Sequence, residues 1–107
     1  MKIEIIGHGG YYADEKMKTL INKKLARLNK YFGPDAEARL TLYQENTSCK
    51  MDIIIRSQHG DIRAEAQSAN MYDNIDILLP RVTRQFRKGQ TKHLSGRHER
   101  NIEMNNE

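Results

Sequence analysis

From Ala36 to Ala66 apolar and polar residues take turns in three successive runs, and this alternation commits the chain to a half-buried sheet. Ala36, Ala38, Leu40 and Leu42 alternate with Glu37, Arg39, Thr41 and Tyr43. Cys49, Met51, Ile53 and Ile55 alternate with Lys50, Asp52, Ile54 and Arg56, and Ile62, Ala64 and Ala66 with Asp61, Arg63 and Glu65. Successive side chains of a strand point to opposite faces, so each run has one oily side and one polar side. The runs are separated by "QENTS" and by "SQHGD", the latter turning at Gly60, where a positive φ costs little. At the start of the chain Met1, Ile3 and Ile5 against Lys2 and Glu4 predict one more strand.

A sheet that is oily on one face requires a cover. Met17, Leu20, Ile21, Leu25, Leu28 and Phe32 recur at spacings of three and four, which predicts an amphipathic helix stopped by Gly33-Pro34-Asp35. Asp14 is placed to cap it, with Glu15 in its first turn. Met71, Ile75, Leu78, Leu79, Val82 and Phe86 predict a second helix, capped by Asn70 and ended by Gly89. Pro80 falls inside it; a proline removes a backbone hydrogen bond and clashes with the preceding turn, so a kink near 76–80 or a restart at Pro80 is expected. The predicted fold is α+β: a two-layer β-α-β-β-β-α sandwich with two helices on one face of a four-stranded sheet, like a double-stranded-RNA-binding domain. Residues 1–92 form the expected domain and 93–107 a flexible polar tail.

At 107 residues the chain has room for one modest core. No apolar run approaches the roughly 20 residues needed to cross a bilayer, and "MKIEIIGHGG" does not read as a signal peptide. A single cysteine, Cys49, fits a reducing compartment, and the expected location is cytoplasmic. Candidate chemistry is thin. His8, His59, His93 and His98 show no metal-ligand spacing with Cys49, which reads as a small core residue. Gly9 and Gly10 match no nucleotide-binding fingerprint. No catalytic residue, metal or cofactor is expected, and the chain does not read as an enzyme.

The net charge of +4 is concentrated. Residues 16–30 hold six Lys/Arg and no acid, and residues 80–98 also hold six and none. On a helix, Lys16, Lys23, Arg27 and Lys30 share one stripe, and Arg81, Arg84 and Lys88 another. Bases can simply solvate outer faces and suit helix C-termini. Ordinary surfaces, however, intersperse both signs, whereas stacked like charges point to an external anion such as a row of phosphates. Tyr72 lies just off the apolar stripe, where covering the core rim is the reading preferred over stacking on a base.

"NMYDNID" followed by "RVTRQFRK", with "MKIEIIGHG", "KKLARLNKYF" and "HGDIRAEAQS" in the same order, resembles the ribosome hibernation-promoting factor family, also called ribosome-associated inhibitors and sigma-54 modulation-like proteins. The resemblance covers residues 1 to about 92 and favours the short members. It implies a translation inhibitor in a bacterial or plastid cytoplasm, a monomer off the ribosome. On the small ribosomal subunit it would occupy the mRNA–tRNA channel against 16S-type ribosomal RNA in stationary phase or stress. It assigns RNA contact to Lys24, Arg27, Arg81, Arg84, Lys88 and Lys92. With the charge stripes, the candidate RNA-binding set is Lys23, Lys24, Arg27, Lys30, Arg81, Arg84, Arg87, Lys88 and Lys92. Two other readings stand beside it. One is a generic structured-RNA-binding domain. The other is a protein-interaction module using the polar sheet face of Arg39, Lys50, Asp52, Arg63 and Glu65.

Overall fold

The computed structural model describes the backbone of residues 1–94 and the side chains of residues 1–89. The elements are β1 (Lys2–His8), α1 (Glu15–Leu25), a 3₁₀ turn (Ala26–Lys30), β2 (Glu37–Gln44), β3 (Cys49–Ser57), β4 (Gly60–Ser68) and α2 (Met71–Leu94). The strands lie in sequence order; β1 is parallel to β2, and the other neighbours are antiparallel. A parallel pair needs a crossover, and α1 with its 3₁₀ extension provides it.

Register aligns the oily sides. Ile5, Leu40, Ile53 and Ala64 form one row across the sheet, and Ile3, Ala38, Ile55 and Ile62 another. Met17, Ile21, Leu25, Leu28 and Phe32 pack into the same core as Met71, Ile75, Leu78 and Val82. Both helices therefore cover one face, as the alternation requires, and the other stays open.

Local chemistry places the helices. Asp14 accepts from the Met17 N–H at 2.9 Å, and Asn70 accepts from the Tyr72 N–H at 2.8 Å. Asn74, fully buried, donates to the Cys49 carbonyl at 3.0 Å and accepts from the Ser68 hydroxyl at 2.8 Å. A buried amide with both ends satisfied ties α2 to β3 and β4. Gly60 has φ 105°, as the tight connection demands. A side chain at Gly7 would meet the Tyr11 carbonyl oxygen, so the loop back toward α1 closes only over a glycine.

Three expectations are corrected. The first helix does not stay α-helical to Phe32; it tightens to 3₁₀ at Ala26, although Leu28 and Phe32 remain buried. Gly89 does not end α2, which runs on to Leu94. An exposed helical glycine costs only about 1 kcal/mol, too little to stop a helix already anchored. Nor does α2 restart at Pro80: it is one unbroken helix, with Leu78 and Val82 fully buried on either side of the proline. The side chains of Lys92 and His93, and the expected tail from residue 95 with His98, lie outside the described residues.

Candidate nucleic-acid interface

The two helices run alongside in the same direction. Lys24 of α1 meets Asp76 of α2, and further on Arg27 and Lys30 face Arg84, Arg87 and Lys88. The resulting valley widens at this end into a groove of about 630 Å³. Leu28, Tyr31, Leu79, Pro80 and Thr83 complete its lining, and among the described residues no carboxylate does. Lys30 is further held with its ammonium 5.3 Å from the Tyr31 ring centroid. Pro80, inside α2, forms part of the groove wall.

Five of the nine candidate residues, Arg27, Lys30, Arg84, Arg87 and Lys88, are thus brought together. Three others are not. Lys24 Nζ lies 2.6 Å from Asp76 Oδ1, so its charge is already answered within the fold. Lys23 points to the opposite end of the valley, where it lines a shallow groove with Lys16, Leu20 and Tyr72. The change to 3₁₀ geometry at Ala26 explains the split, because about 120° per residue instead of 100° breaks the continuous stripe of Lys16, Lys23, Arg27 and Lys30. Arg81 turns away from the valley to the sheet and donates to the Glu65 carbonyl at 2.6 Å. One turn on, Gln85 donates to the Arg63 carbonyl. Since β4 is an edge strand, these two side chains occupy carbonyls that would otherwise template a further strand. The ninth residue, Lys92, lies in α2 with its side chain outside the description.

Sequence reasoning missed Tyr31, Pro80 and Thr83 as parts of the groove. The only signal was their nearness to the cationic positions.

The open sheet face differs. Arg39 meets Glu4 at 3.1 Å, Lys50 meets Glu65 at 3.8 Å and Arg56 meets Asp61 at 3.9 Å. Asp52 carries a buried Oδ1 with no hydrogen-bond partner among the described residues. Its carboxyl is raised above the ordinary value, first by burial and also by Glu65, against the downward pull of Lys50. Tyr72, at the rim of the core, is 39% exposed. Cys49 is buried, as expected.

Among the described residues no cluster of His, Cys, Asp or Glu could hold a metal, and no helix is long and apolar enough to cross a membrane.

Fold and valley define a class: a two-layer α+β domain with a localised cationic surface. The chain belongs to the family described as Sigma 54 modulation protein / S30EA ribosomal protein, which it matches over residues 3–94. This is a family of binding proteins, not of enzymes. A ribosome hibernation promotion factor of Deinococcus radiodurans is 31% identical over 90 residues, covering 79% of this chain and 47% of that protein. The ribosome hibernation promoting factor of Escherichia coli K12 is 27% identical over 92 residues, covering 86% and 96%. The chain spans about half the length of the Deinococcus and Lactococcus lactis relatives, 47% and 44%.

Among solved structures, the Thermus thermophilus protein Y N-terminal domain superposes with a TM-score of 0.70 at 25% identity, over 85% of this chain and 98% of that one. A ribosomal subunit interface protein from Coxiella burnetii gives 0.74 at 22% identity, over 85% and 99%, and speaks to the fold alone. These neighbours, and not the double-stranded-RNA-binding-domain likeness, identify the fold.

Proposed function

We propose that this chain is a ribosome hibernation factor: it binds the small subunit, lays its helix valley on 16S-type ribosomal RNA in the mRNA–tRNA channel and blocks translation. The names of its relatives support the ribosome as target. The observation that carries the reading is the convergence of Arg27, Lys30, Arg84, Arg87 and Lys88 on one groove lined, among the described residues, by no acid. Guanidinium forks and ammonium groups on two elements match phosphates that approach from different sides, and each neutralised phosphate releases counterions. Lys24 and Arg81 become supporting residues with other local duties, and Lys23 lies outside the groove.

The sheet-face reading is weaker, because Arg39, Lys50 and Arg56 already face carboxylates. The test is co-sedimentation with small subunits, and inhibition of cell-free translation with transfer RNA as competitor. Arg84→Glu with Lys88→Glu abolishes both while the fold, read by circular dichroism, stays intact. Undiminished co-sedimentation of the folded double variant overturns the proposal.

A further inference from the structure

The amino-terminal end of the valley has no role in the reading above. There Tyr72 opens onto a shallow groove whose other walls are Lys16, Thr19, Leu20, Lys23 and Glu15. Tyr72 is 39% exposed, and no aromatic partner covers it among the described residues. Tyr11 lies behind it on the core, its phenol raised above the ordinary value first by burial and then by Tyr72. A partly exposed ring in one groove with two lysines whose positions lie about 10 Å apart along α1 suits a planar base with phosphates nearby.

We infer that Tyr72 is a stacking platform for one unpaired base of single-stranded RNA, flanked by Lys16 and Lys23 as phosphate contacts. This rests on the reading of the valley as an RNA surface, and it extends that surface along its length. From Tyr72 to Arg84 is about 18 Å of helix, the span of about five stacked nucleotides at roughly 3.4 Å each. A single strand can therefore lie on Tyr72 and reach the five-cation groove. Of the acids at this end, Asp76 is answered by Lys24 at 2.6 Å, whereas Glu15, 4.0 Å from Lys18, and Asp73, next to Tyr72, stay largely in solvent. A protein partner fits less well, since one ring and one leucine fall far short of the roughly 800 Å² per side of a stable interface.

The experiment uses the full chain and a set of single-stranded RNA hexamers, each with 2-aminopurine at one position, and a matching set with that base removed. For one register the wild type quenches 2-aminopurine and binds the abasic hexamer about tenfold more weakly, the range expected for one base–aromatic stack. Tyr72→Ala loses the quench and binds both hexamers alike, whereas Tyr72→Phe behaves as wild type. Arg84→Glu with Lys88→Glu weakens both hexamers together. If Tyr72→Ala keeps the quench and the base preference while the double charge reversal weakens binding, the platform is overturned and the valley reading stands. If the double reversal binds both sets as wild type does, the valley reading falls and the platform with it.

Discussion

The helix valley and the open sheet face carry similar residues to opposite effect. On the sheet, cross-strand register sets Glu4 beside Arg39 and Arg56 beside Asp61, so the charges meet within the fold. In the valley, five cations from two elements share a groove with no acid in its lining among the described residues. Exposed ion pairs add little stability, with a median of about 0–1 kcal/mol, so the sheet's pairs serve mainly to silence that face. Among the described residues nothing acidic lines the groove, so its like charges repel one another there. Local charge pairing, and not net charge, separates the two surfaces.

The largest effect that could break this contrast is charge reversal on each side. Arg84→Glu with Lys88→Glu lowers ribosome affinity more than a hundredfold, while Arg39→Glu on the sheet changes it less than twofold; equal losses would erase the distinction. The same comparison has a salt signature. With five single-strand phosphate contacts, affinity falls about a hundredfold between roughly 50 and 200 mM salt. The double variant has a much flatter slope, and Arg39→Glu keeps the wild-type slope, both measurable by filter binding.

Arg81 and Arg84 sharpen the contrast within one helix. Arg81→Ala removes the bond to the Glu65 carbonyl and lowers unfolding stability by about 1 kcal/mol, leaving ribosome affinity unchanged. Arg84→Ala does the reverse. Denaturant melts paired with co-sedimentation separate the two, and a binding defect in Arg81→Ala would return that residue to the interface.

On the sheet face, Asp52 supplies a pH test. Its carboxyl is raised by burial and by Glu65, so the folded state holds the proton more tightly than the unfolded chain. Stability contributed by this group is present at low pH and is lost as pH rises from the ordinary aspartate value through the raised one. Asp52→Asn removes this term, flattening the stability profile over that window without altering ribosome binding.

The fold was legible because its signals were local. Alternation gave all four strands, and Asp14 and Asn70 announced both helix starts. What escaped was decided by tertiary contact. Burial of Leu28 and Phe32 keeps a helical spacing across a segment that is in fact 3₁₀, and packing of Leu78 and Val82 carries α2 through Pro80. Within the candidate site, the absence of acids inside residues 16–30 and 80–98 marked two cationic blocks but not which of their members share one groove. Lys24 finds Asp76 across 52 positions of sequence, and Arg81 finds a β4 carbonyl. Neither partner has a periodic signature.

Lys24 gives the smallest and most discriminating effect. It sits between the five-cation groove and the Tyr72 end, and Asp76 holds it at 2.6 Å with much of the carboxylate in solvent. Asp76→Asn loses an exposed ion pair and a few tenths of a kcal/mol of stability. It also removes a negative charge from the middle of the valley. A unit charge about 6 Å from a phosphate in water-like dielectric is worth roughly 0.7 kcal/mol, so RNA affinity rises about threefold. Lys24→Met in the same background cancels the gain if the freed ammonium takes up a phosphate. If Asp76→Asn leaves affinity unchanged at low salt, the strand does not pass this point, and the two ends of the valley are separate surfaces.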